Sequence, residues 1–254
     1  MKTLIVANWK MYLNNQDSLN LVETLVQSNI EIPKNLEVVI CPTHVLIGSV
    51  HNVYSRGIKL GAQDVFWENK GAFTGEVGAE SLKDFGCQYV IVGHSERREH
   101  LGETNKVINK KLKAVLEVNL VPILCVGEKI EVRQADLTEE KVIKQLVEAL
   151  KGVDLSVKGH LVVAYEPVWA IYPSKLKVDP IEVEKMAKLI EYKLIDLYGR
   201  EVYQEKCQII YGGSVDSDNI GKYLALNIIN GALVGKASTK VREFAKMINI
   251  LGEE

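Results

Sequence analysis

Nowhere in this chain is there an apolar run of about 18 residues, the length a helix needs to cross a bilayer. The amino-terminal stretch MKTLIVANWK has too short an apolar core for a signal peptide. No membrane partner and a cytoplasmic location are therefore expected. Excess charge is missing too: 31 basic residues against 33 acidic ones leave a net charge of −2, so no bulk basicity draws the chain to nucleic acid. Cysteine is sparse. Cys41, Cys87, Cys125 and Cys207 stand far apart, each in or beside an apolar run, which argues against a disulfide framework or a CxxC metal site and suits reduced core thiols. No Pro/Ser-rich linker divides the chain, and no GxGxxG follows any candidate strand, so an open dinucleotide-binding sheet lacks its fingerprint.

What is present is a rhythm. With 254 residues, 47% of them hydrophobic, the chain can bury a large core. Short apolar runs read as strands at 3–8, 36–41, 58–63, 88–93, 120–127, 161–166, 207–213 and 228–235. Between and after them, amphipathic spacing predicts helices at 16–28, 44–55, 79–85, 104–118, 138–150, 180–198, from about 217, and at 239–251. Eight such units in about 250 residues predict an α/β fold of (β/α)8 barrel type, with residues 1–254 as a single domain.

The chain is organised around LVVAYEPVWAI at 161–171. Its first half is uninterrupted apolar sequence, the pattern of a strand buried on both faces, and it ends on Glu166. Pro167 fixes its own φ and pushes Glu166 into an extended conformation, which makes a stiff mount for a general base. Taken alone, a strand-end glutamate is more often a surface carboxylate. In a barrel, however, chemistry gathers at the C-terminal strand ends, and these carry Asn8-Trp9-Lys10, Gly93-His94-Ser95-Glu96, Glu166, Gly212-Gly213-Ser214 and Gly235-Lys236. An ammonium, an imidazole and a carboxylate thus share one rim with Gly-bearing turns whose N–H groups suit a phosphate.

NWKM (8–11), LGAQD (60–64), GAFTGE (71–76), VGHSERR (92–98), LCVGE (124–128), AYEPVWAI (164–171), YGGSV (211–215) and GALVGKAS (231–238) together resemble the triosephosphate isomerases, in order and over nearly the whole chain. That family is the type case for the TIM barrel and for a carboxylate base paired with a neutral imidazole. The resemblance implies that Glu166 shuttles a proton through an enediol, that His94 donates to the carbonyl oxygens, and that Lys10 supplies positive charge with Asn8 beside it. It implies that Tyr172, Ser214 and Gly235 hold the phosphate, and that Glu96 orients the site by pairing with Lys10 or an arginine, unless it is a purely structural salt bridge; Lys236 is a further substrate-binding candidate. No metal and no organic cofactor is required. The loop carrying Thr74 is implied to enter a second subunit, giving a homodimer, and Trp67 and Phe73 favour its burial.

Two departures stand out. Where the family usually has a Gly-Thr-Gly-Lys tip after the sixth strand, this chain has Tyr172-Pro173-Ser174-Lys175-Leu176-Lys177-Val178. Lys236 stands where the family usually has a glycine: it is strained if φ there is positive, and otherwise its ammonium approaches the phosphate or points to solvent. Three readings follow. The first is interconversion of dihydroxyacetone phosphate and D-glyceraldehyde 3-phosphate. The second is the same chemistry on a four-carbon ketose phosphate, erythrulose phosphate. The third is a non-catalytic dimer that binds sugar phosphate.

Overall fold

The computed structural model describes residues 1–27, 32–51, 57–156, 159–171, 174 and 176–252. Eight parallel strands close into a barrel in chain order: β1 Thr3–Asn8, β2 Leu36–Cys41, β3 Lys59–Ala62, β4 Cys87–Val92, β5 Val121–Val126, β6 Leu161–Tyr165, β7 Cys207–Tyr211 and β8 Gly231–Val234. The predicted barrel is the observed one.

Alternation along each strand divides the apolar residues into two cores. Leu4 and Val6 of β1 join Val39, Ile91, Ile123, Val162, Ile210 and other strand residues, a set without helix members that fills the barrel interior. Ile5 and Ala7 instead join a larger set containing Leu21, Ile108, Leu146, Ile190 and Phe244, which lies between the sheet and its helices. Both faces of every strand are therefore covered, which is why the strands read as near-continuous apolar runs.

The helices are α1 Asn15–Gln27, α2 Ala79–Asp84, α3 Ser95–His100, α4 Asn105–Glu117, α5 Ile130–Gln134, α6 Thr138–Ala149, α7 Pro180–Tyr198, α8 Arg200–Lys206, α9 Ile220–Leu224 and α10 Val241–Gly252. Those legible in advance carry local punctuation. At the start of α7, Asp179 accepts the Ile181 N–H at 2.9 Å and Pro180 occupies the first turn; Gly199 ends the helix at φ 81°. Short α3, α5 and α8 were not anticipated, because α3 buries only Ser95 and the other two bury no residue, so no apolar stripe marks them. The helix expected near 44–55 is instead a 3-10 turn at His44–Leu46; residues 52–55 of that expectation lie outside the described ones. Among the described residues no helix is long and apolar enough to cross a membrane.

Closure of the barrel depends on a close approach at its seam. β8 meets β1 with Leu4 opposite Gly231, and a Cβ built on Gly231 would lie 1.8 Å from the Leu4 carbonyl oxygen. Any side chain there forces the seam apart. Gly231→Ala is expected to destabilise the protein by about 3 kcal/mol, at the upper end of overpacking effects. Denaturant unfolding measures this; an unchanged midpoint would show that the seam yields without strain.

Candidate active site

The loop after β1 is the first to shape the site. Lys10 has φ 49°, one of three positive values among the described non-glycine residues. Its N–H donates to Asn8 Oδ1 at 3.1 Å, while Gln63, just past β3, donates from Nε2 to the Lys10 and Cys41 carbonyls at 2.9 and 3.0 Å. These bonds hold a backbone conformation that a lysine adopts only under constraint. The ammonium then reaches across the rim to Glu96 Oε1 at 2.6 Å, so of the two partners open to Glu96 it is Lys10 that is engaged.

After β4 the chain turns directly into α3, with His94 as its cap. The ring Nδ1 accepts the Glu96 N–H at 3.2 Å. Only an unprotonated Nδ1 can do this, so the imidazole proton belongs on Nε2. That atom lies 3.1 Å from Glu166 Oε1. The contact does not meet hydrogen-bond geometry, and Oε1 is buried without a hydrogen-bond partner among the described residues. The other carboxylate oxygen, Oε2, accepts the Ser95 N–H at 3.1 Å. Glu166 is itself pinned by its main chain, whose N–H donates to the Val126 carbonyl at 2.8 Å. The neighbouring loop runs so close that a Cβ on Gly127 would lie 1.7 Å from the Glu166 carbonyl oxygen. The mount is rigid, and one carboxylate oxygen is left unbonded.

Lys10, His94 and Glu166 line a cavity of about 430 Å3, together with Asn8, Tyr12, Gly212, Gly213, Ser214, Gly235 and Lys236. Asn8, Lys10, His94, Glu166, Ser214, Gly235 and Lys236 are thus brought together, with Glu96 attached through Lys10. Tyr172 lies outside the described residues. Thr74 does not line the cavity; it is exposed on the loop after β3. Phe73 beside it is 44% exposed and tilts against Phe66 at 4.7 Å between ring centroids, so the expected burial of Phe73 is not met within one chain, and Trp67 is only half-buried. Lys236 has no positive φ, which removes the strained alternative.

A sequence profile of the triosephosphate isomerases matches residues 3–251. The chain belongs to the triosephosphate isomerase family. It is 43% identical over 252 residues to the triosephosphate isomerase of Dictyoglomus thermophilum, covering 97% of this chain and 98% of that one. The Moorella thermoacetica enzyme is 43% identical over 249 residues, with 98% of each chain covered, and that of Clostridium tetani 41% identical over 249 residues, with 98% and 96% covered. Membership makes the chain an isomerase.

One part of this isomerase site was missed in the sequence. Glu128, at the end of the β5 segment, is wholly buried and accepts the Trp169 indole N–H at 2.7 Å through Oε1. Its carbonyl accepts the Val168 N–H at 3.0 Å, so one residue holds the start of the loop after β6 twice. From α5, Arg133 lies 4.4 Å over the Trp169 ring and pairs with Glu182 in the first turn of α7 at 2.7 and 2.9 Å. The guanidinium therefore ties the beginning of that loop to the helix that follows it. Gln63 and Glu128 both stand at or just beyond strand ends, so the rule that found Glu166 would have found them.

Burial raises the Glu128 carboxyl above the ordinary range, opposed by the Trp169 N–H. Its folded-state value therefore exceeds its unfolded one. The stability it contributes is full below the unfolded value and is lost as pH rises through the folded value. Measured against Glu128→Gln, the wild type is expected to lose relative stability as pH rises from the ordinary glutamate value of about 4.3 through the raised folded-state value. Denaturation midpoints of both proteins across that interval test this, and a constant difference would contradict it.

Proposed function

We propose that this isomerase interconverts dihydroxyacetone phosphate and D-glyceraldehyde 3-phosphate by proton transfer through an enediolate. The observation that carries the reading is the unbonded Oε1 of buried Glu166, 3.1 Å from Nε2 of His94, in the cavity that Lys10 also lines. The relatives, named triosephosphate isomerase, support a phosphorylated sugar as substrate.

In this mechanism Glu166 takes a proton from C1 of the ketose, and negative charge develops on the C2 oxygen. The Nε2–H of His94 donates to that oxygen, and the Lys10 ammonium stabilises the same charge. A neutral imidazole suits the task because its Nδ1 is occupied by the Glu96 N–H. Glu166 then returns the proton to C2 while the hydroxyl proton moves from the C1 oxygen to the C2 oxygen, leaving an aldehyde at C1. Atoms and charge balance, and base and electrophile are restored. Asn8 lies beside Lys10, Glu96 orients it, and the turns carrying Ser214, Gly235 and Lys236 present N–H groups to the phosphate. Tyr172 is assigned to the phosphate on sequence alone.

Glu166→Asp retracts the carboxylate and is expected to lower kcat/KM about 100-fold or more. The assay compares glyceraldehyde 3-phosphate with erythrulose phosphate at matched concentrations. Wild-type preference for the triose supports the reading; preference for the tetrulose, or unchanged turnover in the variant, refutes the substrate or the base respectively.

We also propose a homodimer. Met11 and Val45 are 91% and 87% exposed, and Phe73, Phe85 and Leu101 are exposed as well, all in the sector after β1 to β4. Exposed apolar side chains occur elsewhere too, but the two most open ones among the described residues, Met11 and Val45, both lie in this sector, which fits a second copy of the chain better than water. Thr74→Arg places a charge in that sector and is expected to halve the mass measured by light scattering, whereas an unchanged mass would separate Thr74 from the interface.

A further inference from the structure

Lys236 stands at the cavity wall, and the mechanism does not use its charge. It lines the same cavity as Lys10, His94 and Glu166. The loop that carries it runs against the Lys10 ammonium: a Cβ on Gly235 would lie 3.5 Å from Cε and 3.9 Å from Nζ of Lys10. Lys236 then opens a 3-10 turn, Lys236–Thr239, that is firmly fastened. Fully buried Ser238 donates from Oγ to the Val234 and Gly235 carbonyls at 3.1 and 2.7 Å, and its N–H donates to Gly235 at 2.9 Å. The stem of Lys236 therefore starts from a fixed point, in a backbone conformation open to any residue.

The side chain, although exposed, lies along the wall. Its Nζ is 6.0 Å from the centroid of the Tyr12 ring, and Tyr12 lines the same cavity from the loop after β1. Lys236 thus spans from the last loop of the barrel to the first, with Lys177 and Lys240 lining the same cavity.

We propose that Lys236 is a charge-bearing ligand for the phosphodianion, adding a side-chain cation to a subsite otherwise built from backbone N–H groups. The inference rests on the proposed function for the position of the phosphoryl group. A backbone N–H donates along one fixed direction, whereas an ammonium on a long stem follows the anion and is sensitive to its charge. Lys236 accordingly favours the doubly charged form of the ligand. Because the ammonium is exposed, its contribution is smaller than that of a buried pair, in the range of about three- to tenfold in affinity.

Isothermal titration with inorganic phosphate tests this without turnover. Wild type, Lys236→Met and Lys236→Arg are compared at one pH, at low and high sodium chloride, with thermal melts confirming that each is folded. The expected result is a Kd roughly three- to tenfold weaker for Lys236→Met, near wild type for Lys236→Arg, with the difference shrinking as salt rises. Equal affinity of wild type and Lys236→Met overturns the proposal, as does an arginine variant as weak as the methionine one or a wild type that binds no phosphate. If the phosphate result holds while the wild type fails to turn over a triose phosphate, the reaction assignment falls and the role of Lys236 stands.

Discussion

Pairing of the last strand with the first is the constraint on which the remaining structure depends. Leu4 meets Gly231 at a seam that only a glycine fits, and the sheet then has no edge. Closure brings residues from opposite ends of the chain to one rim. Lys10 and Gly235 become neighbours, and Lys236 comes to lie beside Tyr12. An open sheet with the same strands would hold the loops after β1 and β8 at its two margins, with no cavity between them.

The rim is costly to build, and the structure shows what holds it. Glu166, His94 and Asn8 are buried polar groups, and Lys10 carries a positive φ. Such features persist where surrounding bonds over-determine them. Asn8 and Gln63 fix the backbone of Lys10, Glu96 pairs with its ammonium and orients it, and the Glu96 N–H sets the tautomer of His94. The short helix α3 is braced in turn by ion pairs from Arg97 to Asp64 and Glu103, at 2.8 and 2.6 Å, with Lys111 joining both carboxylates from α4. Lys10 and Glu166 are positioned by neighbours from other strands, and His94 by the N–H of the turn it caps. Oε1 of Glu166, buried without a hydrogen-bond partner among the described residues, lies where the proposed proton transfer begins.

Around this rigid centre the loop after β6 is anchored at its start by two cooperating charges. Glu128 holds Trp169 through the indole N–H, and Arg133 covers the ring face while pairing with Glu182 on α7. A buried carboxylate and a guanidinium so placed restrain the entry to the loop and link it to the helix beyond. In the sector outside β1 to β4, by contrast, the Met11 and Val45 side chains lie open to solvent in the single chain.

Much of this was legible beforehand because it follows from local chemistry. Period and length of the apolar runs placed the strands, amphipathic spacing placed α7, and the C-terminal strand ends marked Lys10, His94 and Glu166 as neighbours. Helices α3, α5 and α8 escaped notice because they bury almost nothing, and periodicity reports burial. Tertiary structure alone decided that Glu96 pairs with Lys10, that Nδ1 rather than Nε2 of His94 accepts a backbone N–H, and that Glu128 grips Trp169. By itself the sequence determined which chemical groups stand at the ends of which strands, since a strand's pattern is a property of consecutive residues. Which groups touch was decided by barrel closure, because distances of about 3 Å between residues many positions apart depend on how the whole sheet curls.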